Sequence, residues 1–178
     1  MKDALAGLEY LRSLGNFSKI GLAGHSEGGT IAFILAGEGK TDFIISLAGT
    51  ATDGVTVLVE QNRKILKGGG IPESIADDYC NILDKIYRNP EMTSDEFDRI
   101  SASMPPEMKQ NLLSIREMKD PWIKHFISFD PSEAIKKITC PVLGLNGEKD
   151  VQVIADSNIP RLKELLKEND KNMIKTYP

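Results

Sequence analysis

A serine framed by glycines is the residue in this chain best placed to do chemistry. Lys19-Ile20-Gly21-Leu22-Ala23-Gly24-His25-Ser26-Glu27-Gly28-Gly29-Thr30 runs from a short apolar stretch through Gly24-x-Ser26-x-Gly28 into an apolar helical pattern. Such a junction reads as a buried strand, a sharp turn and a helix. The turn holds its central residue in a strained backbone conformation, and a glycine two positions either side lets neighbouring backbone pass. Ser26 would project its hydroxyl above the sheet as a nucleophile. The helix N-terminus behind it would offer N–H groups and a positive dipole end to a developing oxyanion. The plainer alternative is a glycine-rich strand-to-helix turn that binds nothing, or binds a phosphate.

Asp150 is the second candidate. It lies just past the apolar run Pro141-Val142-Leu143-Gly144-Leu145-Asn146-Gly147. That is the C-terminal end of an expected parallel strand, the sheet edge where Ser26 also falls and where sites of α/β proteins form. A buried carboxylate there can hold a histidine ring in the required tautomer and stabilise its imidazolium. The plainer alternative is a turn acid that caps the segment following it.

The elements that must position these residues follow from hydrophobic periodicity. Residues 2–14 read as an amphipathic helix through Leu5, Leu8, Leu11 and Leu14, ended by Gly15. A strand over 18–23, a helix over 27–37 and a strand over 43–48 follow, which implies a crossover connection and a parallel sheet. Between residues 50 and 129 no strand is convincing. Helices are expected there at 54–67, 73–88, 94–102, 106–117 and 120–127, with breaks at Gly68-Gly69-Gly70, Asn89-Pro90 and Pro105-Pro106. A stretch of that length between two strands is no plain connection; it reads as a helical insertion of the kind that acts as a lid. Asp130-Pro131-Ser132-Glu133 has the chemistry of a helix start, running to about Ile138. The strand at 141–147, a helix over 158–168 with Asn158 as its cap, and a last strand over 172–176 complete the chain.

Composition narrows the function classes. At 178 residues, with 40% hydrophobic and 27% charged residues, the chain fits one ordinary globular domain. A net charge of −4 argues against general nucleic-acid affinity. Two cysteines, Cys80 and Cys140, and two histidines, His25 and His125, lack the spacing of a zinc site. No apolar run approaches the roughly 20 residues of a membrane span, and Met1 opens no signal-peptide pattern.

The order elbow strand, helix, strand, helical insertion, strand, acid, helix, strand resembles the C-terminal half of an α/β-hydrolase over the whole chain. Gly24-His25-Ser26-Glu27-Gly28-Gly29 resembles the nucleophile elbow of its esterase, dienelactone-hydrolase and prolyl-oligopeptidase-like branches. Pro141 to Asp150 resembles their strand–Gly–x–x–Asp segment, which carries the triad acid. The resemblance implies an α/β fold: a partial, mostly parallel sheet of about four strands flanked by helices. Residues 1–49 and 130–178 would form the core and 50–129 a helical cap. It implies Ser26 as nucleophile, Asp150 as acid, the Glu27 backbone N–H as an oxyanion donor, and no cofactor or metal.

The triad order in that family is serine, acid, histidine, and no histidine follows Asp150. His25 sits inside the elbow, and His125 falls in the insertion among Trp122, Phe126 and Phe129. Only one helix precedes the elbow strand. Both features lead us to expect a piece of a larger hydrolase, cut before the first strands and before the base. Any targeting signal would then lie in the missing N-terminal part, so the compartment stays open. The elbow strand would become a sheet edge, through which the chain is expected to self-associate. The expected reaction is cleavage of small carboxylic esters or thioesters through an acyl-enzyme. The alternatives are a peptidase or amidase of the same fold, a non-catalytic scaffold or binding module, and, last, a nucleotide-binding domain. This last lacks both Gly-x-Gly-x-x-Gly and a Walker lysine.

Overall fold

A computed structural model describes all residues, 1–178. They form two compact units, Met1–Asp53 with Asp130–Pro178, and Gly54–Phe129.

The first unit is built on a four-stranded parallel sheet in sequential order β1-β2-β3-β4. Its strands are β1 (Leu22–His25), β2 (Ile44–Leu47), β3 (Val142–Gly147) and β4 (Asn172–Tyr177). Leu22 pairs in register with Ile44, Val142 and Asn172 across the sheet, and His25 with Leu47, Leu145 and Lys175. Alternation along the strands sends one set of side chains to each face. Leu22, Ile44, Val142 and Ile174 pack against Ala32, Phe33 and Ala36 of α2 (Glu27–Gly37), Ile135 of α8 (Ser132–Ile135), and Leu162 and Leu165 of α9 (Ala155–Leu165). Each large side chain fully buried there contributes roughly 1.5–3 kcal/mol. The opposite face carries the rows Ala23-Ile45-Leu143-Met173 and His25-Leu47-Leu145-Lys175. It is only partly covered: Ile45, Leu143 and Leu145 are half-buried, while Leu47 is 39% and Met173 54% exposed. Parallel sheets are ordinarily covered on both faces.

Several elements differ from the sequence reading. The elbow strand starts four residues later than expected, at Leu22, and runs to His25 itself. In α1 (Lys2–Ser13), Leu8 packs on Ile20 and Leu35, but Leu11 and Leu14 are exposed, so the leucine stripe buries only its N-terminal half. The helix expected from Asp130 to Ile138 shrinks to the single turn of α8. Asp130 does accept the N–H of Ser132, the first residue of α8, at 2.8 Å; past Ile135 the chain continues to Ile138 in turns rather than as regular helix. Asn158 is no cap: α9 begins at Ala155 and Asn158 is a buried interior residue.

The second unit is all helical: α3 (Gly54–Gly68), α4 (Glu73–Arg88), α5 (Ser94–Ile100), α6 (Pro106–Arg116) and α7 (Pro121–Ile127). Its core joins Val55 and Val59 to Tyr79, Leu83, Ile86, Phe97, Met104 and Leu112. Arg63 pairs with Asp77 at 3.0 Å, and Lys67 with Glu73 at 2.7 Å and Asp77 at 3.2 Å, tying α3 to α4. Thr93 caps α5 through the Glu96 N–H, and Asp120 caps α7 through those of Trp122 and Ile123, with Pro121 at the first helical position. No helix of the chain is long and apolar enough to cross a membrane.

Candidate active site

Ser26 sits between the last residue of β1 and the first of α2, with φ 53° and ψ −122°. That is a costly backbone conformation for a residue bearing a Cβ. The surroundings hold it there. The Ser26 N–H donates to the Leu47 carbonyl at 2.8 Å, extending the β1–β2 ladder, while its own carbonyl accepts from the N–H groups of Gly29 and Thr30 at 2.9 and 3.1 Å. The chain thus leaves the sheet and enters the helix within one residue.

The glycines divide their labour differently from expectation. A Cβ on Gly24 would stand 2.1 Å from the Gly28 carbonyl oxygen, so strand and helix can approach only because Gly24 has none. A Cβ on Gly28 would meet nothing within 4 Å. The second tight position is Gly29, where a Cβ would fall 2.6 Å from Ser46 Oγ and 2.8 Å from Gly49 Cα. The steric demand on the helix side therefore belongs to Gly29, because the first turn of α2 crosses β2 there.

Glu27 opens α2, so its N–H belongs to the first helical turn, at the positive end of the helix dipole. Asp150 lies three residues beyond β3, at the same edge of the sheet as Ser26, with β2 between their strands. Its Oδ1 accepts the N–H groups of Gln152 and Val153 at 2.8 and 3.1 Å. The carboxylate therefore does cap the segment that follows it, through one of its two oxygens.

The histidine of the first unit does not complete this group. His25 occupies the exposed row of β1, on the face away from α2. His125 belongs to α7 of the other unit, where its ring lies 6.0 Å from that of Phe129. Among the apolar residues of that unit, Trp122 stacks on Phe126 at 5.2 Å, and Met104 is buried in the helical core. No group of three or more histidine, cysteine or acidic side chains converges as a metal site would require.

Sequence reasoning missed a second strained residue and a buried polar cluster. Ala48, just past β2, has φ 49°, so adjacent strands end in left-handed residues at the same sheet edge. Behind them Thr30 Oγ1 lies 3.0 Å from Thr50 Oγ1 and accepts the Thr50 N–H at 3.0 Å. Asn158 accepts the Ala51 N–H at 2.7 Å and donates to the Gly49 carbonyl at 3.0 Å and to Asn146 Oδ1 at 2.8 Å. A polar residue at a buried helical position was the available signal.

Comparison with known proteins adds to this geometry. No family model matches the chain. Esterase EstD of Thermotoga maritima is 27% identical over 165 residues, which make up 93% of this chain and 35% of that esterase. The chain thus spans about a third of the length of the curated relative it matches. An α/β-fold family hydrolase from Bacillus anthracis superposes with a TM-score of 0.52 at 16% identity, over 99% of this chain and 66% of that one. The Pyrococcus furiosus esterase PF2001 does so with a TM-score of 0.53 at 14% identity, over 98% of this chain and 50% of that one.

Proposed function

We propose that this chain, whose fold is that of the α/β hydrolases, carries the nucleophile and the acid of a serine hydrolase that cleaves small carboxylic esters or thioesters. The observation that supports this most is Ser26 itself: a non-glycine residue in a left-handed conformation, at the C-terminal edge of a parallel sheet and the head of a helix. Strain of this kind persists where surrounding structure over-determines it, and it concentrates at functional sites. Likeness to Esterase EstD inclines the substrate class towards esters.

In the proposed reaction a histidine base from outside these 178 residues takes the Ser26 proton as Oγ bonds to the acyl carbon. The charge on the acyl oxygen is met by the Glu27 N–H at the positive end of α2. The base returns its proton to the leaving alcohol or thiol, and water then releases the acid by the same steps in reverse. Asp150 orients the base through the carboxylate oxygen that does not cap Gln152 and Val153. The helical unit is proposed as a cap over this chemistry. A second reading, a non-catalytic binding module, draws support from the capping role of Asp150 Oδ1.

Exogenous imidazole can stand in for the base, which makes the proposal testable on this chain. We expect a fluorophosphonate to add one mass increment at Ser26, at a rate that rises with imidazole concentration. The increment should be absent in Ser26→Ala, and its rate reduced about tenfold or more in Asp150→Asn. A folded sample that stays unlabelled at every imidazole concentration would overturn the hydrolase reading and favour the binding module.

A further inference from the structure

The strained turn at Ser26 and the loop carrying Asp150 stand on strands that are not neighbours, with β2 between them. A catalytic pair so placed needs its separation held, and backbone hydrogen bonding between the strands runs only as far as Ala48 and Glu148. From the hydrogen bonds behind the sheet edge we infer that Asn158 is a positioning residue. Its side-chain amide braces the Asp150 loop against the Ser26 turn. This inference rests on the proposed roles of Ser26 and Asp150.

The brace can be followed atom by atom. The Ser26 carbonyl accepts the Thr30 hydroxyl at 3.4 Å, and the Thr30 hydroxyl in turn holds Thr50. The next residue, Ala51, donates its N–H to Asn158 Oδ1, and Gly49 accepts from Asn158 Nδ2. One planar amide thus grips the backbone on both sides of Thr50, as an added strand residue would. The second Nδ2 proton goes to Asn146 Oδ1, and Asn146 Nδ2 donates to the Val153 carbonyl at 3.1 Å. Val153 closes the path, because its N–H is one of the two that Asp150 Oδ1 accepts.

Asparagine suits this position for a chemical reason. The Ala51 N–H requires an acceptor, while the Gly49 carbonyl and Asn146 Oδ1 require donors. Asn supplies one acceptor and two donors in one plane, which also fixes the orientation of the amide. Asp would place an acceptor against two acceptors; Leu would leave all three groups unpaired. Asn146 and Asn158 are each 3% exposed, so water cannot substitute for a lost partner. Buried polar networks that are fully satisfied rigidify what they join, and here they join the two loops proposed to react.

Amide hydrogen exchange on the 178-residue chain tests the brace without needing turnover. In the unsubstituted protein Ala51 and Val153 should open as one unit, with exchange rates corrected for sequence agreeing within about threefold and the same denaturant dependence. Thr30→Val, which keeps the side-chain shape, should speed exchange at Gln152 and Val153 about fivefold, and Asn158→Ala should do so about tenfold or more. In the double variant the effect of Thr30→Val should vanish, as it must if it travels through Asn158. Independent opening of Ala51 and Val153, or fully multiplicative effects, would overturn the brace. The first of these needs no variant, so an Asn158→Ala chain that does not fold leaves the test intact. In the imidazole-assisted labelling of Ser26, Asn158→Ala should lower the maximal rate while leaving the probe concentration for half-maximal rate unchanged. A change confined to that concentration would also count against positioning. An unsubstituted chain that never labels refutes the reading of the site, while exchange still decides the brace.

Discussion

At the scale of single residues, the elbow turns on where a methyl group fits. Gly24→Ala would drive its Cβ to 2.1 Å from the Gly28 carbonyl oxygen. We expect a loss of about 3 kcal/mol or more, seen as a large fall in the denaturation midpoint or failure to fold. Gly28→Ala enters open space within a helix and should change stability by less than about 1 kcal/mol, in the stabilising direction. Equal losses at the two positions would contradict this assignment. Ser46 gives a second test. It is 1% exposed and its hydroxyl has no hydrogen-bond partner. Ser46→Ala should therefore raise stability by about 1 kcal/mol, measured by urea unfolding at unchanged slope. The strand, turn and helix around Ser26 were legible because glycine spacing and an apolar switch lie within twelve residues. Which glycines are obligatory was not, because Gly29 answers to Ser46 and Gly49 across the sheet.

Among the elements, α4 shows most directly how burial sets protonation. The Tyr79 hydroxyl is buried and paired with the Asn111 side-chain oxygen on α6. Burial, followed by the neighbouring Tyr87 and Cys80, pushes its pKa up from 10.0 to about 12. A folded value above the unfolded one means stability that is complete below pH 10. It is then lost as the pH rises through about 12, since the unfolded chain gives up its proton first. We expect stability to fall by about 2 kcal/mol over that window. Tyr79→Phe should flatten this alkaline limb in a urea series run at increasing pH; an unchanged limb would assign it to other groups. The helices of the second unit were read from sequence with small boundary errors, because the breaks at Gly68-Gly69-Gly70, Asn89-Pro90 and Pro105-Pro106 are local signals. Asn158 was misread as a cap because its partners Ala51 and Gly49 lie 107 and 109 residues away. No local pattern carries contacts of that range.

At the scale of the whole molecule, β1 is an edge strand and the sheet face bearing Ile45, Leu47, Leu143 and Met173 is incompletely covered. Edge strands and large apolar patches are sites of association. The isolated chain should bind a hydrophobic dye in its folded state and sediment faster as its concentration is raised. A species that stays monomeric throughout would count against this expectation. Concealing that face by meeting a second copy has a thermodynamic corollary. Folding and association become one equilibrium, and the melting temperature ceases to be a constant of the chain. A copy present at about a hundred times its dissociation constant would add about 2.7 kcal/mol to the folded state. Dilution would therefore act on this sheet as a mild denaturant.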